Sequence, residues 1–257
     1  MSTAGRNSYG RQRSDPELTT SPKSAGSVGS RVGTRRPLNV HDDELGIGGS
    51  LLDLLKPEVF APGQTIFTSG WPGDRVYVVR SGVAKVMRLD DDRRAHLVAL
   101  AGPNDILGEL AVFDPGPRTS TVTALDEVRA GWLDRATLRR WIAEHPDAGM
   151  LLLQLLSRQL KRKHDRFAEQ HVRDPAVRTV RQLAALCERF GVSSATGGLV
   201  LPALSSTEFA QLVGSPENEV TTILQQFAAR GWIRLDGTAI EVRDRTEWTS
   251  PIGSPAG

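Results

Sequence analysis

The stretch LGELAVFDPGPRTSTV, residues 107–122, is the most informative run in the chain. Gly108 allows the backbone to approach a ligand closely, and the residues after it are expected to form a short helical turn whose free N–H groups face an anion. Arg118 can make a forked, charge-assisted contact with phosphate, Glu109 can accept hydrogen bonds from a sugar hydroxyl, and Thr119 can donate to a phosphate oxygen or a base edge. This combination suits a cyclic phosphate fused to ribose. The alternative is a surface loop with an ordinary Glu–Arg pair.

Short alternating segments, separated by glycine, proline and polar turns, surround this stretch. Many short strands at close spacing are typical of a β-sandwich or roll. We therefore predict an N-terminal, jelly-roll-like β-roll over residues 48–146 that begins with a short helix at 51–55. Its strands are expected near residues 60–67, 75–80, 83–89, 96–100, 122–124 and 128–133.

The pattern becomes helical after Asp134. It predicts a short helix over 135–145 and then a long helix, which forms a dimerisation segment at 147–172. The apolar residues of the long helix have coiled-coil spacing, which favours pairing with a second copy of the chain. Packing of the same residues on the chain's own β-roll is the alternative. The seam consists of Leu153, Leu156, Leu160 and Phe167.

Residues 173–247 contain a compact set of helix and hairpin signals. The run Ser205–Glu208 has the form of a capping box, and Gly214 provides a turn. Ser215 is expected to cap a second helix with Pro216 at its first position, and Asp236-Gly237 is a hairpin signal. Helix, short turn, helix and hairpin together predict a winged helix-turn-helix.

The GEL…PRTS segment closely resembles the phosphate-binding cassette of cyclic-nucleotide-binding domains, especially that of the Crp/Fnr family of bacterial regulators. The resemblance extends from about residue 48 to residue 245. It implies an α+β fold with a β-roll, a dimer helix and a winged helix-turn-helix. By this resemblance Glu109 binds the ribose hydroxyl and Arg118 the cyclic phosphate, and the residues beside them are Gly108, Leu110 and Thr119.

The same resemblance implies a homodimeric transcription regulator that binds double-stranded DNA under allosteric control by a cyclic nucleotide. The nucleotide, with cAMP first, is an effector ligand rather than a cofactor, and RNA polymerase is a further candidate partner. An alternative keeps nucleotide binding but assigns the winged helix to protein contacts.

The dimer helix departs from the family pattern. The cAMP-responsive relatives have Thr or Ser, followed by Ser or Asn, facing the adenine amino group, whereas this chain has Lys163 and His164. Lys163 falls on the apolar seam, where it either extends outward to solvent or meets an acceptor on the ligand. A lysine can only donate, so it suits a carbonyl such as that of guanine. We expect cAMP with an altered base contact, while a different nucleotide or none remains open.

The second helix of the helix-turn-helix also departs from the family pattern. Relatives have an arginine at the position of Glu217, then Glu and Thr, and a further basic residue one turn later. Here Asn218 can read adenine and Glu217 can accept from cytosine, although two acids near phosphates can also weaken binding. The predicted DNA-facing residues are Ser215, Glu217, Asn218, Thr221 and Thr222.

Charge and composition limit the remaining function classes. The net charge is +2, with +5 in residues 1–40, −5 in residues 41–150, +5 in residues 151–199 and −3 in residues 200–257. The acidic last segment weighs against nucleic-acid binding. Low apolar content predicts a disordered basic tail at 1–47, and residues 248–257 are expected to be flexible.

Other chemistries lack residues to support them. The single cysteine, Cys187, can form neither an internal disulfide nor an iron–sulfur site, and the five histidines show no metal-ligand spacing. No nucleophile–base pair can be identified, so we predict neither a metal site nor an enzyme. No apolar run reaches the roughly 18–20 residues of a membrane span, and the N-terminus lacks the apolar core of a secretory signal. The expected location is the cytoplasm, without membrane contact.

Overall fold

The computed structural model describes residues 49–170 and 172–243. The predicted tails at 1–47 and 248–257 lie outside these described residues. On the described helices, the structure does not describe the side chains of residues 49, 50, 52, 148, 151, 155, 162, 163 and 165–170.

Eight strands form the predicted β-roll as two four-stranded antiparallel sheets. One sheet has the order β1-β8-β3-β6 and the other has the order β2-β7-β4-β5. The strands are β1 (Lys56–Phe60), β2 (Thr65–Phe67), β3 (Arg75–Ser81), β4 (Ala84–Leu89), β5 (Ala95–Ala101), β6 (Ile106–Leu107), β7 (Thr121–Ala124) and β8 (Val128–Asp134).

Side-chain alternation places one face of each sheet in the core. In β8, Val128 and Ala130 are buried while Arg129 between them is exposed. The predicted strand at 60–67 is two strands, because Gly63 has a φ of +80° and turns the chain between β1 and β2. Pro57 lies in β1, which is an edge strand, the position in a sheet where proline is tolerated.

Four helices accompany the roll. The N-cap Asp134 accepts a hydrogen bond from the Thr137 amide at 2.7 Å, which begins the helix that leads to the long helix. None of the helices in the described part of the chain combines the length and the apolar character needed to cross a bilayer. These helices are α1 (Gly49–Leu54), α2 (Glu109–Phe113), α3 (Arg135–Glu144) and α4 (Pro146–Gln170).

The C-terminal part is a winged helix-turn-helix. The predicted capping box between Ser205 and Glu208 is present, and Gly214 ends the first helix of the motif with a φ of +70°. The four strands form a sheet of order β11-β12-β10-β9. The elements are α5 (Pro175–Phe190), β9 (Val192–Ser193), β10 (Leu199–Val200), α6 (Ser206–Val213), α7 (Glu217–Ala229), β11 (Ile233–Asp236) and β12 (Ala239–Val242).

One local prediction in this region is wrong, and the predicted hairpin is present with its turn one residue further along the chain. Ser215 does not cap α7, because Pro216 is the N-cap residue and the Ser215 hydroxyl accepts a hydrogen bond from Arg178 instead. The wing turn consists of Gly237 and Thr238, since Asp236 pairs with Ala239 in the ladder. The fold class itself is confirmed: an α+β chain with a β-roll, a long helix and a winged helix-turn-helix.

Candidate functional site

The conformation of Gly108 positions the GEL…PRTS segment. Strand β6 runs into Gly108, whose φ of +77° is left-handed, and α2 follows at once. A Cβ atom built at this position would lie 2.1 Å from Nη1 of Arg118. Glycine is therefore needed for the turn and also for the space that the arginine occupies.

Arg118 is a buried cation held by backbone carbonyls. Its side chain is 5% exposed, and it donates to the Gly108 carbonyl at 2.9 Å and to the Arg75 carbonyl at 2.7 Å. The guanidinium carbon lies 4.3 Å from the centre of the Phe67 ring. Its Nε is buried without a hydrogen-bond partner, and no carboxylate within the described ranges forms an ion pair with it. Burial lowers the pKa of Arg118, against opposing contributions from Tyr77 and nearby acids.

Glu109 joins this segment to the long helix. It is 8% exposed, and its Oε1 accepts a hydrogen bond from Nε2 of Gln159 on α4 at 3.1 Å. The same amide nitrogen is 3.4 Å from the Ile106 carbonyl. Sequence reasoning did not identify Gln159, because a glutamine beside the apolar seam carries no signal of what it faces in the fold.

Arg118 and Glu109 converge on one cavity of about 720 Å³. This volume lies within the usual range of roughly 300–1,000 Å³ for small-molecule sites. All five predicted residues of the segment line it: Gly108, Glu109, Leu110, Arg118 and Thr119. Exposed His164 is not among the lining residues, and the side chain of Lys163 lies outside those that the structure describes.

The opposite wall of the cavity comes from the helix-turn-helix. Helix α5 contributes Arg178, Gln182 and Arg189, and the end of α6 contributes residues 211–213. Sequence reasoning missed these residues because they lie 60 or more positions after Arg118 and reach the cavity only through tertiary packing.

Polar contacts fix the helix-turn-helix against the roll. Lys85 of β4 pairs with Glu208 of α6 at 2.5 Å, and Gln211 accepts a hydrogen bond from the Leu97 amide at 2.7 Å. Burial raises the pKa of Glu208, but the hydrogen bonds from Lys85 and Ser205 and the charge of Lys85 together outweigh burial and lower this pKa. A second ion pair joins the β-roll to α5: Arg189 Nη2 lies 2.7 Å from Asp105 Oδ2.

Helix α7 turns its apolar side inward and its polar side to solvent. Val220 is buried, whereas Glu217, Asn218 and Thr222 are exposed and Thr221 is half-buried. This arrangement leaves the N-terminal polar side chains accessible, as a helix that reads the major groove requires.

Several predicted DNA-facing groups already have partners in the chain. Glu217 accepts a hydrogen bond from the Thr207 hydroxyl at 2.7 Å, and the Thr222 hydroxyl donates to the Asn218 carbonyl at 2.8 Å. Ser215 is bonded to Arg178, as described above. The Asn218 side chain forms no hydrogen bond with any residue in the described ranges.

Comparisons with known proteins agree with this architecture. The sequence profile of the cyclic nucleotide-binding domain matches residues 57–145, and that of the Crp-like helix-turn-helix domain matches residues 177–247. The CRP-like cAMP-activated global transcriptional regulator of Mycobacterium tuberculosis is 42% identical over 195 residues, which cover 76% of this chain and 87% of that relative.

Solved structures show the same fold. A CRP/FNR family transcriptional regulator from Thermus thermophilus has a TM-score of 0.64 and 26% identity, over 76% of this chain and 96% of that one. FixK2 from Bradyrhizobium japonicum has a TM-score of 0.65 and 19% identity, over 79% of this chain and 99% of that one.

Proposed function

Because the chain belongs to the Crp/Fnr family of transcription regulators, we propose that it is a homodimer whose DNA binding is controlled by a cyclic nucleotide, with cAMP first. The family consists of regulators and not of enzymes. One observation carries the proposal: Arg118 is buried at the cavity without a carboxylate ion pair from any described residue. A buried cation without a directly paired carboxylate is costly, and a phosphate would supply that partner.

The neighbouring groups define the ligand class more closely. Glu109 shares the cavity and can accept a hydrogen bond from the ribose hydroxyl, while Thr119 can donate to the phosphate or the base. The M. tuberculosis relative is described as cAMP-activated, which supports cAMP here. We keep Lys163 and His164 of α4 as base contacts in this proposal, because they occupy the positions of the base-facing pair in the cAMP-responsive relatives.

The match to the Crp-like helix-turn-helix domain favours double-stranded DNA over the alternative of protein contacts. Asn218 is the base-reading residue in this proposal, because Glu217 is held by Thr207. Exposed Arg173 and Arg230 can contact phosphates. Such a regulator would act in the cytoplasm and meet RNA polymerase there.

Calorimetry with cAMP and cGMP tests the ligand. We expect the wild-type protein to bind cAMP, and we expect Arg118→Leu to lose binding by at least a hundredfold because the buried phosphate contact is lost. The matched control is Arg129→Leu, which removes an exposed arginine paired with Glu127 and should bind as the wild type does. Binding of neither nucleotide to the wild type, or unchanged binding to Arg118→Leu, would refute the assignment.

Selection of bound genomic DNA fragments, with and without cAMP, tests the regulatory part. We expect cAMP to increase the recovery of specific fragments, and we expect affinity for them to fall steeply with salt because phosphate contacts release counterions. If no fragments are enriched in either condition, the winged helix does not bind specific DNA sequences and the proposal is wrong.

A further inference from the structure

The exposed side of α7 carries a stripe of uncharged polar residues. The helix buries Val220 and Leu224 against the rest of the helix-turn-helix. Asn218, Thr222 and Gln225 are four and three positions apart in the sequence and are all exposed, so they lie together on the side that faces away from this core. These three residues form the α7 stripe, which is the surface that the second helix of the motif presents to a partner.

The α7 stripe offers two free amides and a methyl group. Neither Asn218 nor Gln225 forms a side-chain hydrogen bond with any residue in the described ranges. The Thr222 hydroxyl donates to the Asn218 carbonyl at 2.8 Å, so the methyl group is the part of this side chain that remains for an external contact. Each amide has both a donor and an acceptor available for a partner.

Acids, and no cations, accompany the stripe. Glu217 and Glu219 are each one residue from Asn218, which places them about 100° around the helix axis on either side of it. Within Glu217–Ala229 there is no arginine or lysine. Guanine presents only acceptors, N7 and O6, in the major groove, and arginine or lysine is the side chain that recognises them. Helix α7 therefore lacks the residues that select guanine.

We propose, on the premise of the DNA binding proposed above, that the α7 stripe selects A·T base pairs in the major groove, with Asn218 and Gln225 each reading an adenine. A side-chain amide accepts from N6 of adenine and donates to N7, and a threonine methyl packs against the methyl of thymine. Adenine matches the amide because its edge combines a donor with an acceptor, whereas the amide oxygen would face an acceptor on guanine.

The helix geometry also gives the spacing of the two adenines. Asn218 and Gln225 are seven residues apart, which is about 10.5 Å along the helix at 1.5 Å per residue. One base pair occupies about 3.4 Å along the DNA axis. The two adenine positions are therefore expected about three base pairs apart in each half-site, with Thr222 contacting a thymine between them.

Selection from random DNA duplexes by the full chain, with and without cAMP, measures the base preference. We expect an adenine preference at two positions about three base pairs apart. Asn218→Ala and Gln225→Ala should each lower the discrimination of adenine from guanine roughly five- to 150-fold, at one of the two positions only, because each removes one bidentate contact. Fluorescence anisotropy on duplexes with single-base changes gives these ratios.

Asn218→Arg should change the preferred base at its position from adenine to guanine, because arginine donates to both O6 and N7. Selection with this variant measures the change. A merely structural role for Asn218 would not exchange one preferred base for another.

A modified base tests the contact directly. 7-Deazaadenine has carbon in place of N7 and still pairs with thymine, so it removes the acceptor that the amide nitrogen uses. It should weaken wild-type binding at both adenine positions. Gln225→Ala should be insensitive to this replacement at its own position and remain sensitive at the position read by Asn218.

Gln226→Ala is the matched control, because Gln226 is an exposed glutamine of the same helix about 100° around the axis from Gln225. It should keep the wild-type base preference. If the wild type prefers guanine at these positions, or if the stripe variants keep its preference, the A·T assignment is wrong while the proposed DNA binding stands. If the wild type enriches no sequence in either condition, the proposed function fails and this proposal fails with it.

Discussion

Gly108 and Arg118 depend on each other at the level of single residues. The left-handed backbone at Gly108 turns its carbonyl toward Nη1 of Arg118, and the missing Cβ leaves room for that same atom. The guanidinium is thereby held in the cavity wall before any ligand arrives. Such preorganisation lowers the cost of binding an anion.

Gly108→Ala should abolish nucleotide binding and lower the free energy of unfolding by at least about 1–2 kcal/mol, the cost of a left-handed alanine. Binding is lost because the new Cβ would collide with Arg118 at 2.1 Å. Calorimetry with cAMP and urea unfolding measure the two effects.

Gly63→Ala is the matched control. Gly63 has a similar φ of +80°, but no atom lies within 4 Å of a Cβ built there. This variant should lose similar stability and still bind nucleotide. Nucleotide binding by Gly108→Ala at the wild-type affinity would show that Arg118 does not need this glycine.

The residues of this site were predictable only where they lie close together in the chain. Gly108, Glu109 and Arg118 fall within eleven positions, so their chemistry can be read as one motif. Gln159 and Gln182 reach the cavity through helix packing, which leaves no local pattern. Ser215 shows the opposite error, because a good local capping pattern lost to a tertiary hydrogen bond from Arg178.

Helix α4 divides its apolar residues between two surfaces. Leu152 is buried in a cluster with residues of α3 and the roll, including Leu138. Leu153 and Leu160 of the predicted seam are 59% and 53% exposed, and Met150 is 60% exposed. The chain's own roll therefore does not cover the seam at these positions, which supports the proposed contact with a second copy.

The double variant Leu153→Glu/Leu160→Glu should shift the protein from dimer to monomer, because charges would replace apolar contacts in the proposed interface. Sedimentation velocity at micromolar concentration measures the change. The control Gln154→Glu/Arg158→Glu introduces the same number of glutamates at exposed positions of α4 outside the seam and should remain dimeric. A monomeric wild type, or glutamate variants that stay dimeric, would contradict the proposed homodimer.

The wing contains a buried carboxylate. Glu241 of β12 is 4% exposed and accepts hydrogen bonds from the Ser194 and Thr196 hydroxyls, with Arg234 Nε 3.0 Å away. The two hydroxyl bonds lower the pKa of Glu241 below its ordinary value of 4.5, although burial opposes the shift. Because the folded-state pKa is depressed, ionised Glu241 stabilises the fold fully above pH 4.5, and this contribution is lost as pH falls through the folded-state pKa.

Glu241→Gln should lower the free energy of unfolding by about 1–3 kcal/mol at pH 7, as expected for hydrogen bonds to a charged group. The difference from the wild type should shrink as the pH falls from about 6 to 3. Urea unfolding across this range measures it. Glu127→Gln, at an exposed ion pair, should change stability by less than about 1 kcal/mol. A constant difference between Glu241→Gln and the wild type at every pH would show that ionisation of Glu241 does not contribute.

At the scale of the whole molecule, one apolar cluster crosses from the roll to the helix-turn-helix. It contains Val83, Leu97 and Leu100 of the roll together with Leu183 and Phe209 of the helix-turn-helix. Alternation along β5 predicted a strand with a buried face, but it does not state which element covers that face. The two domains were therefore predictable separately, while their contact, which closes the cavity, was not.

This shared cluster predicts that the roll and the helix-turn-helix unfold together. Differential scanning calorimetry of the wild type should show one transition whose calorimetric and van't Hoff enthalpies agree. Leu97→Ala removes a 2% exposed side chain from the shared cluster and should lower the free energy of unfolding by about 2–5 kcal/mol. We expect this variant to show two transitions instead of one.

Leu138→Ala is the matched control, because Leu138 is equally buried in the separate cluster around α3. It should lower the melting temperature but keep a single transition. Two transitions in the wild type would show that the modules are not coupled, and a nucleotide in the cavity would then have no packed path from the roll to α7.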